Sequence, residues 1–521
     1  MSSPPPARAG CTGSARTRTG WPCWRWPSAS AERVRPVPRI RWIRLDRAVS
    51  LFDTGPRGVR LSRTPDPSGR ALPRIVVPPP GPVSRGLAAR SARVEPAPVA
   101  GILDGEPPIA WAAARGANVV DADGNVYVDF TGGFGAALVG HRNPRVVAAV
   151  EKAAGRLLHA LGDAAPHADR VALAETLSRE GPVRGGRVFF AASGAEAVDL
   201  ALKTARLATG RTGVVAFHQG YHGTGLGALR ATGRPAFRAP FEDALAPATL
   251  RVPFPDDYRS PYRLRGPENG RAALDTALAE VDAWNADPTK ARLGAWVVEP
   301  VVGREGVLVP PKGWLAALGR AARDRGIVVV ADEILTGGGR TGRMWASGPL
   351  EPDLVTVGKG ITGGLPIAAL VGRAELMAAW DAPGEARHTT TFLAHPLAVA
   401  GARAALAEIG QRDLPARARA IGARLRKGLR AVARRHRAVG DVRGTGALWG
   451  VDIVADPVTA APDPAAAKTV SRDLAARGYL ALAGGPAGSV LSLTPPLVIT
   501  DRQIDGFLAA LDGALDRAQR I

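Results

Sequence analysis

Between about residue 186 and residue 360, short apolar runs alternate with longer stretches of helical periodicity. RVFFAA, GVVAF, GAWVVEPV, IVVVADE and DLVTV are the runs. They are Val-rich blocks without in-out alternation, the pattern of strands buried on both faces. Between them, EAVDLALKTARLA and GWLAALGRAARDRG place apolar residues three and four positions apart, as helices with one buried stripe do. Strands of this kind flanked by helices predict an α/β domain around a mostly parallel sheet.

Different patterns stand on either side. GANVVDADGNVYVDF reads as two short strands joined through Asp-Ala-Asp-Gly, with Gly124 in the turn. After GHRNP, Pro144 opens a helix that RVVAAVEKAAGRLLH continues. From about residue 396, long Ala/Arg-rich helices surround GALWGVDIV and SVLSLTPPLVI, which reads as a smaller α+β domain. The expected organisation is a tail over residues 1–94, an N-terminal segment of the small domain over 95–160, a large domain over 161–395 and the C-terminal small-domain segment over 396–521. There is no internal repeat.

Composition changes this picture mainly at the N-terminus. The chain of 521 residues has a net charge of +21, which first suggests a nucleic-acid binder. Residues 1–94 alone carry 18 Arg, no Lys and four acids, so two thirds of that charge belongs to the tail. The tail is rich in Pro, Gly, Arg and Ser without sustained periodicity, and disorder is the expected state. Both cysteines, Cys11 and Cys23, fall in it, so no disulfide framework is expected and the body suits a reducing, cytoplasmic compartment. Its prolines interrupt any amphipathic transit helix, and it has no apolar signal core. The same bias is what GC-rich DNA upstream of a later start would encode; N-terminal sequencing that finds Met1 or Ser2 excludes this. No uncharged apolar run approaches the roughly 18 residues of a membrane span.

In doubly wound sheets ligands bind beyond the carboxyl ends of the strands, so the residues after each apolar run carry the candidate chemistry. FFAASGAEAVDL runs from strand through Ser193, Gly194 and Ala195 straight into a helix. Free N–H groups and the helix dipole there make a cradle for phosphate or carboxylate, or else Ser193 is simply the cap of an ordinary turn. In IVVVADEILTG, Asp332 emerges at a strand end and needs a partner against desolvation: a ligand's ring nitrogen, or Arg340 or Arg343. In VTVGKGITGG, Lys359 follows the next strand between two glycines. Only seven of the 68 basic residues are lysine, so a lysine here asks for a reason that arginine cannot meet; an amine can lose its proton and attack a carbonyl. The alternative is a surface turn lysine. A P-loop is excluded because Gly360 stands where Ser or Thr must follow the lysine. Tyr221 or His222 of AFHQGYHGTG could stack on a flat ligand, and TTTFLAHP offers three hydroxyls before a helix. A phosphate cradle, a buried Asp for a ring nitrogen, an aromatic lid and an amine nucleophile are together the parts that pyridoxal 5′-phosphate requires.

ADEILTGGGRTG followed by PDLVTVGKGITGGLPIAAL, with DADGNVYVDF, GHRNP, SGAEAVDLALKTAR and VVEP, resembles the class III aminotransferases over residues 108–515. The resemblance implies PLP fold type I, a homodimer, and a site at the subunit interface. It implies that Lys359 is the Schiff-base lysine, that Asp332 faces the pyridine nitrogen, and that Ile334 and Tyr221 flank the ring. Ser193, Gly194, Ala195 and His222 would help hold the cofactor, Thr391 would reach the neighbouring subunit's phosphate, and Glu299 would be a switchable charge near the substrate entrance. Four positions depart from the family pattern: Ala195 where many members have Ser or Thr, Leu335 where Gln is usual, and Thr224 and Ser492 where arginines often hold carboxylates. The last two lean the reading away from ornithine or acetylornithine, toward a diaminobutyrate-like or amine donor.

The expected activity is transfer of an amino group, a terminal one, from a diamino acid, ω-amino acid or amine to a 2-oxo acid such as 2-oxoglutarate or pyruvate. An amino-acid racemase, epimerase or aminomutase is the alternative on the same scaffold. A nucleic-acid-tethered regulator lacks support, because residues 1–94 contain neither a helix-turn-helix nor a zinc pattern. No nucleic-acid, membrane or metal partner is expected. An inactive relative is hard to reconcile with Lys359 and Asp332 both being present.

Overall fold

The computed structural model describes residues 68–99, 101, 106–245 and 249–518, all within the unit Arg63–Ile521. Its main feature is a seven-stranded sheet in the order Arg187–Ala191, Ala368–Gly372, Leu354–Val357, Val328–Asp332, Leu293–Val298, Gly213–Phe217 and Thr249–Val252. Each of the five apolar runs supplies one of these strands. Four of them, GVVAF, LGAWVV, VVVAD and LVTV, are buried at every position. This burial accounts for their continuous apolar sequence: Gly194–Thr209 and Trp314–Asp324 are among the helices packed against the sheet. Ala368–Gly372 runs antiparallel to both its neighbours, while the other pairings are parallel. The antiparallel strand, IAALVG in sequence, has no local mark that distinguishes it from the parallel ones.

The hairpin forms as its pattern predicts. Asn118–Asp121 pairs antiparallel with Val126–Asp129, and Gly124 takes φ +89° in the turn. The sheet it belongs to is completed from the far end of the chain, because Tyr479–Leu480 pairs parallel with Val126–Asp129. A third sheet, in the order Val439–Thr445, Leu448–Asp456, Val490–Leu493 and Leu482–Gly484, contains both strand-like segments read in the C-terminal third.

The tail expectation needs correction over part of its length. Residues 1–67 lie outside the described residues, but residues 68–94 hold regular structure. Arg74 bridges to Val126, and Pro82–Ser91 is a helix. This helix has no side-chain cap of its own; the cap comes from the hairpin turn, where the Asp123 carboxylate accepts the N–H groups of Val83 at 2.7 Å and Ser84 at 2.9 Å. Asn125 Oδ1 likewise accepts the N–H groups of Val76 and Val77. Segment 68–94 is thus ordered by polar groups some 40 residues downstream, which no local pattern reveals.

Candidate active site

Register brings the two principal residues together. Asp332 ends its strand opposite Thr356 of the adjacent parallel strand, so Lys359, three residues beyond Thr356, emerges beside it at the same sheet edge. Asp332 is 4% exposed, and both oxygens of its carboxylate have partners. Oδ1 accepts the Ile334 N–H at 3.0 Å and the Thr356 hydroxyl at 3.2 Å, and Oδ2 lies 2.7 Å from His222 Nδ1. Burial works against a charge on the His222 ring, but the Asp332 hydrogen bond and charge, with Glu299 behind them, hold the imidazole above its ordinary value. Arg340, one of the two arginine partners that sequence alone allowed for Asp332, is instead fully buried and donates to the carbonyls of Ala447, Pro495 and Gly135.

Lys359 opens the short turn Lys359–Ile361 with φ +40°, in the left-handed region that side-chain-bearing residues avoid. Such strain costs on the order of 1–3 kcal/mol and collects at functional sites. Burial pushes its amine below the usual lysine value; Asp332 and Glu299 oppose that, and the charges of Arg304 and Arg340 add to it. An amine so placed gives up its proton more readily, as a nucleophile must.

Glu299 follows the strand Leu293–Val298 and is 6% exposed. Its Oε1 accepts the Tyr221 N–H and its Oε2 the Gly303 N–H, both at 2.9 Å. Burial raises its carboxyl to about 7, with His222 opposing and Asp332 assisting.

At the start of the helix Gly194–Thr209, the Ser193 hydroxyl accepts the Glu196 N–H at 3.2 Å, and Glu196 accepts the Ala192 N–H at 2.8 Å. Ser193 is thus a helix cap, and it stays outside the cavity that Gly194 and Ala195 line. Their N–H groups fall in the first helical turn, where no intrahelical acceptor exists. The Ile334 side chain packs against two glycines: a Cβ on Gly194 would lie 3.2 Å from it, and one on Gly358 3.0 Å. Across the cavity the Tyr221 ring meets Phe237 edge to face at 5.9 Å.

Lys359, Asp332, His222, Glu299, Tyr221, Ile334, Gly194 and Ala195 all line one cavity of about 560 Å³. Thr391 is exposed and lies outside it. The cavity also takes residues that sequence reasoning did not single out, among them Thr131, Phe134, Arg234, Arg304, Leu448, Leu482 and Thr494. Arg304 stands in GREG, five residues past Glu299, and that proximity was a usable signal. Leu448 and Leu482 arrive from distant strands of the third sheet and carry no local mark.

These residues fit pyridoxal phosphate. Gly194 and Gly358 leave out the Cβ atoms that would crowd Ile334, the first helical turn offers donors for a phosphate, Asp332 suits a protonated ring nitrogen, and Lys359 suits the carbonyl carbon.

Comparison with known proteins points the same way. The family described as class-III aminotransferase matches residues 103–515. The chain is 39% identical to an acetylornithine aminotransferase of Mycobacterium tuberculosis, over 80% of this chain and 93% of the relative. It is 35% identical to a diaminobutyrate–2-oxoglutarate aminotransferase of Rhizobium meliloti, over 79% of this chain and 89% of that one. Among solved structures, an amine transaminase from an uncultivated Pseudomonas species, in its PLP-bound form, superposes with a TM-score of 0.73 at 30% identity, covering 79% of this chain and 95% of its own.

Proposed function

This chain belongs to the class III aminotransferase family, and from that premise we propose that it moves a terminal amino group from a diamino acid, ω-amino acid or amine to a 2-oxo acid. The observation that carries this reading is the meeting of Lys359 and Asp332 at adjacent strand ends inside a cavity with both charged and apolar walls. When bound, pyridoxal phosphate supplies an electron sink for the carbon that bears the amine. The chain's own residues do the rest. The Lys359 amine would anchor the cofactor, and the same amine would hold and move the proton at the carbon that bears the amino group. Asp332 holds the ring-nitrogen proton, and His222 keeps the carboxylate oriented from behind. Tyr221 and Ile334 would pack against the ring, and the N–H groups of Gly194 and Ala195 would take the phosphate. Leu335 and Leu448 limit water beside the reacting atoms.

Two further assignments belong to this reading. The chain works as a homodimer in the cytoplasm, and the exposed Thr391 of the partner subunit completes the phosphate site. No helix among the described residues is long and apolar enough to cross a membrane.

The test is the near-visible absorption of the cofactor-supplemented protein, titrated with diamino acids, 4-aminobutyrate, alanine and simple amines without an acceptor. The expected result is loss of the bound-cofactor band with a terminal-amine donor and its return on adding 2-oxoglutarate or pyruvate. Inversion of an amino-acid stereocentre without any 2-oxo acid would replace transfer by racemisation.

A further inference from the structure

The cavity holds one cation that the chemistry at its floor does not use. Lys359 and His222 are committed beside Asp332. Arg234 donates to Glu305 at 3.0 Å and to the Gly485 carbonyl at 2.7 Å, so its charge is offset. Arg304 is different. Its side chain is exposed at the mouth, and it forms no ion pair among the described residues. Its guanidinium lies 4.7 Å from the Tyr221 ring centroid and 5.3 Å from that of Phe237. Two aromatic faces hold a guanidinium in place by cation–π attraction while leaving its N–H fork free to bind.

We propose that Arg304 is the residue that selects donors, by pairing with a carboxylate separated from the reacting amine by an apolar spacer. This rests on the transfer reading above and narrows its donor class to ω-amino acids. Three observations combine in it. Arg304 and Lys359 line the same cavity, and the Arg304 charge is felt at the Lys359 amine, so one small molecule can reach both. The cavity is also walled by Leu335, Leu448 and Leu482, which suit methylene groups and offer nothing to a second charge. Thr224 and Ser492 line it too, and neither can carry the positive charge that a carboxylate needs. Guanidinium is suited to the task because its planar fork matches the two oxygens of a carboxylate.

The holoenzyme tests this through Arg304→Gln and Arg304→Lys, each checked first for its bound-cofactor band. With pyruvate as acceptor, kcat/KM is measured for 4-aminobutyrate and for butylamine, which has the same chain length and no carboxylate. Charged hydrogen bonds of this kind correspond to a change of roughly 10- to 100-fold. The expected result in Arg304→Gln is a fall of that size in the ratio of 4-aminobutyrate to butylamine, carried by KM, with partial recovery in Arg304→Lys. An unchanged ratio overturns the proposal. A second readout needs no turnover: butyrate binding to the holoenzyme, followed by calorimetry, weakens about tenfold in Arg304→Gln if the proposal holds, and equal affinity overturns it. If the wild type turns over neither donor, the narrowing to ω-amino acids is overturned while transfer itself is decided by the wider donor panel above, and the butyrate titration then decides whether Arg304 binds a carboxylate.

Discussion

At the cavity floor, Asp332 and Lys359 leave the ends of neighbouring parallel strands, and their positions follow from sheet register. At the mouth, Arg304, Phe134 and Leu482 come from a loop after one strand, a glycine-rich turn after the hairpin and a short strand of the third sheet. The floor is buried and internally paired, as the Asp332 contacts illustrate. Phe134 is 68% exposed and Leu482 48% exposed, and the Arg304 guanidinium lies over the Tyr221 and Phe237 rings with no ion pair among the described residues. The difference is one of duty. Chemistry common to all donors needs fixed geometry and a dry setting, which a sheet core supplies. Discrimination among donors can be altered by changing a loop residue without disturbing the sheet.

The largest effect should come from breaking the floor. Lys359→Ala is expected to lower turnover of every donor by at least about 10³-fold, because the proposed anchor and proton carrier would be lost together. Cofactor should remain, held non-covalently by Asp332 and the Gly194 turn, with its absorption shifted to that of the free aldehyde. Residual turnover that still favours 4-aminobutyrate over butylamine would show the mouth acting independently of the floor. Turnover at the wild-type rate would remove Lys359 from the chemistry altogether.

The same division explains what could be read from sequence. VTVGKGITGG and IVVVADEILTG carry strand, turn and reactive group within ten or so consecutive residues, so local pattern suffices to place Lys359 and Asp332. Ser193 was equally visible, yet its two readings, phosphate contact or cap, differ only in where one hydroxyl points. The mouth was largely illegible. Leu448 and Leu482 become neighbours of Lys359 only through the return of the C-terminal strands, and the Phe134 segment reaches them only because a hairpin joins the far end of the chain. The ordering of residues 68–94 was hidden for the same reason, since its caps come from Asp123 and Asn125.

Glu299 spans the two regions, accepting from Tyr221 on one side and from Gly303, next to Arg304, on the other. Its carboxyl titrates at about 7 in the folded chain, against 4.5 as its ordinary value. A raised carboxyl binds more protons folded than unfolded, so the stability it contributes is present below about pH 4.5 and is lost as pH rises toward 7. The loss is on the order of 3 to 4 kcal/mol, at about 1.4 kcal/mol per pH unit. In Glu299→Gln this term disappears. Urea unfolding of the apoprotein from pH 5 to pH 8 should then show the variant gaining on the wild type as pH rises. A stability difference that does not vary with pH would mean that Glu299 ionises in the folded chain as it does in the unfolded one.

The smallest effect separates contact from support within the floor itself. The Ser193 hydroxyl accepts the Glu196 N–H and lies outside the cavity, so Ser193→Ala should cost about 1 kcal/mol of stability, the usual value of a helix cap. Cofactor affinity should change by less than about threefold, because the proposed phosphate donors are the N–H groups of Gly194 and Ala195, which the substitution leaves in place. Equilibrium dialysis against pyridoxal phosphate, alongside a urea titration, distinguishes the two roles. A tenfold loss of affinity without loss of stability would make Ser193 a phosphate ligand and extend the floor by one residue. Loss of stability with affinity retained leaves Ser193 as the support on which the phosphate end of the floor is built.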